Sequence, residues 1–83
     1  MTPREDEFRF RQEIADRTRR GEEVYAREIA TELGMNTKRA CYLCEKWIDK
    51  GWWECGVNAL AGWLTEEGKA AFGLNADLLP NKN

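Results

Sequence analysis

At 83 residues, the chain has room for one hydrophobic core and not for two. Four Trp, three Phe and two Tyr can each bury a large area, which argues against disorder even though charged side chains make up 34% of the chain. The formal net charge of −2 is no basic surplus of the kind nucleic-acid binders usually carry, although residues 8–50 hold ten Lys or Arg against eight Asp or Glu.

The N-terminal run Met-Thr-Pro-Arg-Glu-Asp-Glu lacks the apolar stretch of an export signal, and no later run is long enough to span a bilayer. A soluble, cytoplasmic protein with reduced thiols is expected. Pro3 suits a helix entry, and a first helix is predicted from about Glu5 to Arg20. Phe10, Ile14 and Thr18 form its inner stripe, flanked by Phe8 and Ala15, and Gly21 stops it. Glu22–Tyr25 reads as a short extended strand. A second helix follows from about Ala26 to Leu33, with Ala26, Ile29, Ala30 and Leu33 on one face and Gly34 as its end.

Met35 and Asn36 leave space only for a tight turn. Asn36 or Thr37 then caps a third helix running to about Lys50, whose inner face is Ala40, Leu43, Cys44, Trp47 and Ile48. After Gly51 the period changes. Trp52 to Cys55, a turn at Gly56–Ala59 and Leu60 to Leu64 predict a small β-hairpin. Thr65 caps a last helix to about Phe72 with Glu66 and Glu67 in its positive first turn. Leu74, Leu78 and Leu79 lie in a tail, residues 73–83, that ends its order at Pro80.

The segment Val24–Ala40, the junction Trp47-Ile48-Asp49-Lys50-Gly51-Trp52-Trp53 and the run Leu64-Thr65-Glu66-Glu67-Gly68-Lys69 occur in the order seen in winged helix-turn-helix regulators. Over residues 8–72 the chain resembles bacterial or phage DNA-binding regulators of the multiple-antibiotic-resistance and PadR-like kinds. That resemblance implies a mainly α fold, with a three-helix core, a hairpin wing and a C-terminal helix in one domain. It also implies a transcriptional regulator whose third helix enters the major groove of double-stranded DNA as part of a homodimer. On that helix Lys38, Arg39, Tyr42 and Lys46 are the expected contacts, with Asn36 and Thr37 donating to a phosphate. The line Arg39–Tyr42–Lys46 is expected to lie opposite the core. A dimer is expected to use Phe8, the first helix and the Leu78–Leu79 tail.

Two features depart from the resemblance. Tyr25 stands where such proteins often have a Ser or Thr cap, and the wing from Glu54 to Trp63 carries no Lys or Arg to reach a minor groove. The alternative is therefore a phage- or plasmid-type module that binds and modulates a host protein through an uncharged wing and an aromatic patch of Trp53, Val57, Leu60 and Trp63. Trp63 is shared with Z-DNA-binding winged helices, but Cys41 and Glu45 stand where that family uses Asn and Tyr, which rejects that reading.

Cys41-Tyr42-Leu43-Cys44 has a C-x-x-C spacing, yet three Cys and no His leave a zinc site one ligand short. Cys41, beside Lys38 and Arg39, is a candidate reactive thiol without a resolving partner. No histidine, no nucleophile with a base beside it and no Gly-rich phosphate loop are present, so neither an enzyme, a cofactor nor a small-molecule ligand is expected.

Overall fold

The computed structural model describes residues 3–74. Its elements run α1 (Pro3–Arg19), α2 (Ala26–Glu32), α3 (Thr37–Asp49), β1 (Trp53–Cys55), β2 (Gly62–Leu64) and α4 (Glu66–Ala71). Three helices, an antiparallel hairpin and a short closing helix make a mainly α domain with winged-helix topology. The sequence resemblance implied that architecture.

Each helix ends in the same way. The residue after the C-cap is a glycine at positive φ, namely Gly21, Gly34, Gly51 and Gly73. The next residue donates its N–H back across the last turn: Glu22 to Arg17, Met35 to Ala30, Trp52 to Trp47 and Leu74 to Lys69. This is the Schellman arrangement, which satisfies the carbonyls a helix end leaves open and turns the chain sharply. The starts differ. Asn36 caps α3 by accepting from the Lys38 N–H at 2.7 Å, whereas Tyr25 precedes α2 without a side-chain cap.

Trp47 stands at the centre of the core, fully buried. Phe10 of α1 stacks on it at 5.6 Å, the Phe72 ring meets it edge-on at 5.2 Å, and Trp53 of β1 tilts against it at 6.0 Å. Ile14, Ile29, Ala40, Leu43, Cys44 and Leu64 close the remainder. Of the tail residues, Leu78, Leu79 and Pro80 lie outside the described residues, while Leu74 is buried in the core.

The Thr65-Glu66-Glu67-Gly68 run has a clear physical role. Thr65 donates its hydroxyl to the Gly51 carbonyl at 2.6 Å, accepts from the Gly68 N–H at 3.0 Å, and donates its own N–H to the Trp52 carbonyl at 2.9 Å. One residue thus ties the end of α3 to the start of α4. Gly68 is buried because its Cα faces the Trp52 carbonyl, and a Cβ would overlap that oxygen.

Three expectations are corrected here. Glu22–Tyr25 forms no strand: Tyr25 is extended, but among the described residues the sheet has two strands, with Trp53 opposite Leu64, Glu54 opposite Trp63 and Cys55 opposite Gly62. Trp53 is not part of an outer patch. It points inward onto Trp47, and its indole N–H donates to the Ala59 carbonyl at 2.7 Å. The partly exposed member of the pair is Trp52, covered by Arg11 and Lys50. Leu60 is also buried, drawn under the wing where Asn58 Oδ1 accepts its N–H.

Candidate nucleic-acid interface

At about 100° per residue, the buried arc of α3 is centred between Ala40 and Trp47, so the arc opposite holds Lys38, Tyr42, Glu45 and Asp49. These four are the exposed residues of the helix body, and Asn36 and Thr37 are exposed at its start. Arg39 and Lys46 lie about 90° to one side, facing α1. The expected line Arg39–Tyr42–Lys46 is therefore not the outermost face. Its two cations are turned inward to an acidic pair.

Arg39 bonds to Asp6 at 3.3–3.4 Å, and Lys46 Nζ meets Glu7 at 3.1 Å. Glu7 also stands 4.0 Å from the Arg39 guanidinium. Asp6 and Glu7 lie near the start of α1, where acids suit the helix dipole. Only the packing of α1 beside α3 reveals their partners. The Arg39 guanidinium also lies 5.7 Å from the ring of Tyr42, which is itself half exposed. Lys38 points outward and Arg27 is exposed on α2. Neither makes an ion pair among the described residues.

The opposite flank of α3 carries Cys41, half buried, with its sulfur 3.8 Å from Glu45 Oε2. Burial first and the Glu45 carboxylate second push the Cys41 thiol up, which works against the thiolate form that reactivity needs. Cys44 is pushed up to about 12 by burial. Cys55 is exposed on the wing. A thiol reagent at neutral pH is expected to modify Cys55 first, Cys41 more slowly and Cys44 only on unfolding. Mass spectrometry of peptides along a time course reads that order, and early loss of Cys44 would contradict the core as described.

The wing presents Val57, 91% exposed, and Trp63, 52% exposed, with no cation between Gly51 and Gly68. Trp63 sits on the outer side of β2, with Glu54 directly opposite. Of the wing residues singled out from sequence, Val57 and Trp63 are thus at the surface, whereas Trp53 and Leu60 are in the core. Among the described residues no group of three His, Cys, Asp or Glu is placed to hold a metal. No described helix is long and apolar enough to cross a membrane. In comparisons with family models, curated proteins and solved structures, nothing matches this chain.

Proposed function

We propose that the protein binds double-stranded DNA sequence-specifically as a small transcriptional regulator of the winged-helix kind, resembling the multiple-antibiotic-resistance and PadR-like regulators. The N-terminal half of α3 carries the contact. The observation behind this reading is the uncovered start of that helix in a winged-helix frame, with Lys38 and Tyr42 outward and Arg39 beside the Tyr42 ring. Thr37 and the open amides of the first turn suit a phosphate. Asn36 already spends its carbonyl oxygen on the cap, which leaves its amide nitrogen for such a contact.

Magnitudes decide whether Arg39 is available. A part-exposed ion pair at 3.3 Å contributes about 1 kcal/mol or less, while a bidentate contact to guanine is worth about 1–3 kcal/mol. The guanidinium therefore gains by leaving Asp6 for a base. Lys46, farther from the helix start and closer to its carboxylate, meets phosphate at most. One copy offers few cations, so the DNA-bound form is a two-fold dimer, and the exposed Phe8 on α1 is the apolar residue for that contact.

Anisotropy titrations of mixed duplex at two ionic strengths test the reading, because phosphate-driven binding weakens steeply with salt. Lys38→Ala is expected to lower the salt slope by about one, and Arg39→Ala to cost about 1–3 kcal/mol on a preferred site. Asp6→Asn is expected to tighten binding to all duplexes by about fivefold, since it removes one repelling charge and releases Arg39. No binding at low salt, or unchanged affinity in all three folded variants, overturns the proposal. Sedimentation with and without duplex tests the dimer.

A further inference from the structure

A groove of about 390 Å³ runs between the Gly21–Tyr25 segment and β2, floored by Val24 and Leu64 and walled by Tyr25 and Trp63. A second hollow of about 270 Å³ shares Tyr25 and extends along the wing past Leu60 and Ala61. Together they follow the outer edge of β2.

That edge is open. Thr65 donates to the Trp52 carbonyl, and Gly56 donates to the Ala61 carbonyl. In an antiparallel ladder such pairs alternate, so Glu54 and Trp63 form the intervening bonded pair. The N–H and C=O groups of Gly62 and Leu64 therefore point away from β1, toward the groove. No backbone bond from the Glu22–Tyr25 segment reaches them. An expected third strand is missing where the groove lies, and a sheet edge of this kind is a template for an added strand.

Carboxylates outnumber cations along the walls, which carry Glu22, Glu23 and Glu28 against Lys69 and an exposed Arg27 at the far end of the second hollow. The Tyr25 hydroxyl donates to Glu23 Oε1 at 2.8 Å, which raises the Tyr25 pKa and holds that carboxylate beside the ring. Arg20 is taken up by Glu22 at 2.7 Å, and Lys69 by Glu66 at 3.3 Å. Glu54 lies opposite Trp63 on the outer face of the hairpin. Two half-exposed aromatic rings with carboxylates at the rim favour a cation laid over the rings. The same carboxylates repel a phosphate backbone.

We propose that this groove binds an extended, Lys/Arg-rich segment of a partner protein. The segment adds as a third strand to the outer edge of β2 and places a cationic side chain against Trp63 and Tyr25, beside Glu23. The site is separate from the α3 surface and stands whether or not α3 reads DNA.

The test is an amide-resolved NMR titration of the full chain with the peptide acetyl-Lys-Val-Arg-Val-Lys-Val-Arg-amide, alongside the same peptide with Glu at every charged position. Shifts are expected at Gly62, Leu64, Val24, Tyr25 and the Trp63 indole, with slowed exchange at the Gly62 and Leu64 amides. Trp63→Ala and Glu23→Gln should each weaken binding at least fivefold with an unchanged melting temperature. N-methylation of alternate peptide nitrogens should abolish it. Equal binding of the acidic peptide, shifts centred on Glu45 and Asp49 of α3, competition by duplex DNA for the same amides, or no shift at millimolar peptide would each overturn the proposal.

Discussion

Trp47→Ala is expected to destabilise the domain by about 3–5 kcal/mol, the range for deleting a large aromatic side chain from a closed core. The side chain is fully buried and touches rings from α1, β1 and the end of α4, so no single neighbour can collapse into the space it leaves. Small domains hold about 5 kcal/mol or a little more in all, so the variant should retain only about 0–2 kcal/mol and be marginally folded at room temperature. Urea titration followed by circular dichroism measures the loss. Trp47→Phe sharpens the reading. The indole N–H of Trp47 is buried without a hydrogen-bond partner among the described residues, and phenylalanine removes that unmet donor while keeping a ring against Phe10. Its cost should be about 1–2 kcal/mol, well below that of alanine. Equal losses for the two variants, or an alanine cost within about half a kcal/mol, would contradict a central, closed Trp47.

The second large effect has a sign that helix propensity alone gets wrong. Gly68 lies within α4, where alanine is intrinsically favoured by about 1 kcal/mol. A methyl group there would overlap the Trp52 carbonyl, the same oxygen that accepts the Thr65 N–H. Relief requires α4 to move off the hairpin, which breaks the three bonds that Thr65 makes. Gly68→Ala is therefore expected to destabilise by about 3 kcal/mol, the upper part of the range for overpacking. A thermal melt decides it: stabilisation, or no change, would mean that α4 does not press on the Trp52 backbone.

The legible part of this fold is the part that neighbours in sequence encode. Gly21, Gly34 and Gly51 were readable as helix ends because a glycine after a periodic apolar run supplies the left-handed residue that each cap requires. The inner face of α3 was readable because Ala40, Leu43, Cys44 and Trp47 recur at helical spacing. A strand offers no such security. Trp52 and Trp53 must face opposite ways, but only the packing of β1 on Trp47 says which one is inside. Leu60 read as the start of the return strand and part of an exposed patch, and is instead pulled under the wing by Asn58. The candidate interface was legible as a helix and a set of residues, but not as an electrostatic surface. Arg39 and Lys46 meet carboxylates 33 and 39 positions away, and nothing in the local pattern at either end announces the other. Tyr25 was noticed as an absent cap and not as a groove wall, since its neighbour across the groove, Trp63, lies on the far side of the hairpin.

The repeated glycine caps also bear on the order in which the chain assembles. Each cap closes a loop of a few residues, so α2, α3 and the turn between them can find one another from near neighbours, and little entropy is lost in doing so. The hairpin then grows directly from the end of α3. The expensive closure is that of α1, whose acid pair and Phe10 must return across the chain to Arg39 and Trp47. A chain built this way has few distant contacts to form before it is rewarded, which places its folding among the fast, helix-dominated domains, on the microsecond-to-millisecond scale. The docking of α1 is therefore expected to commit late in folding.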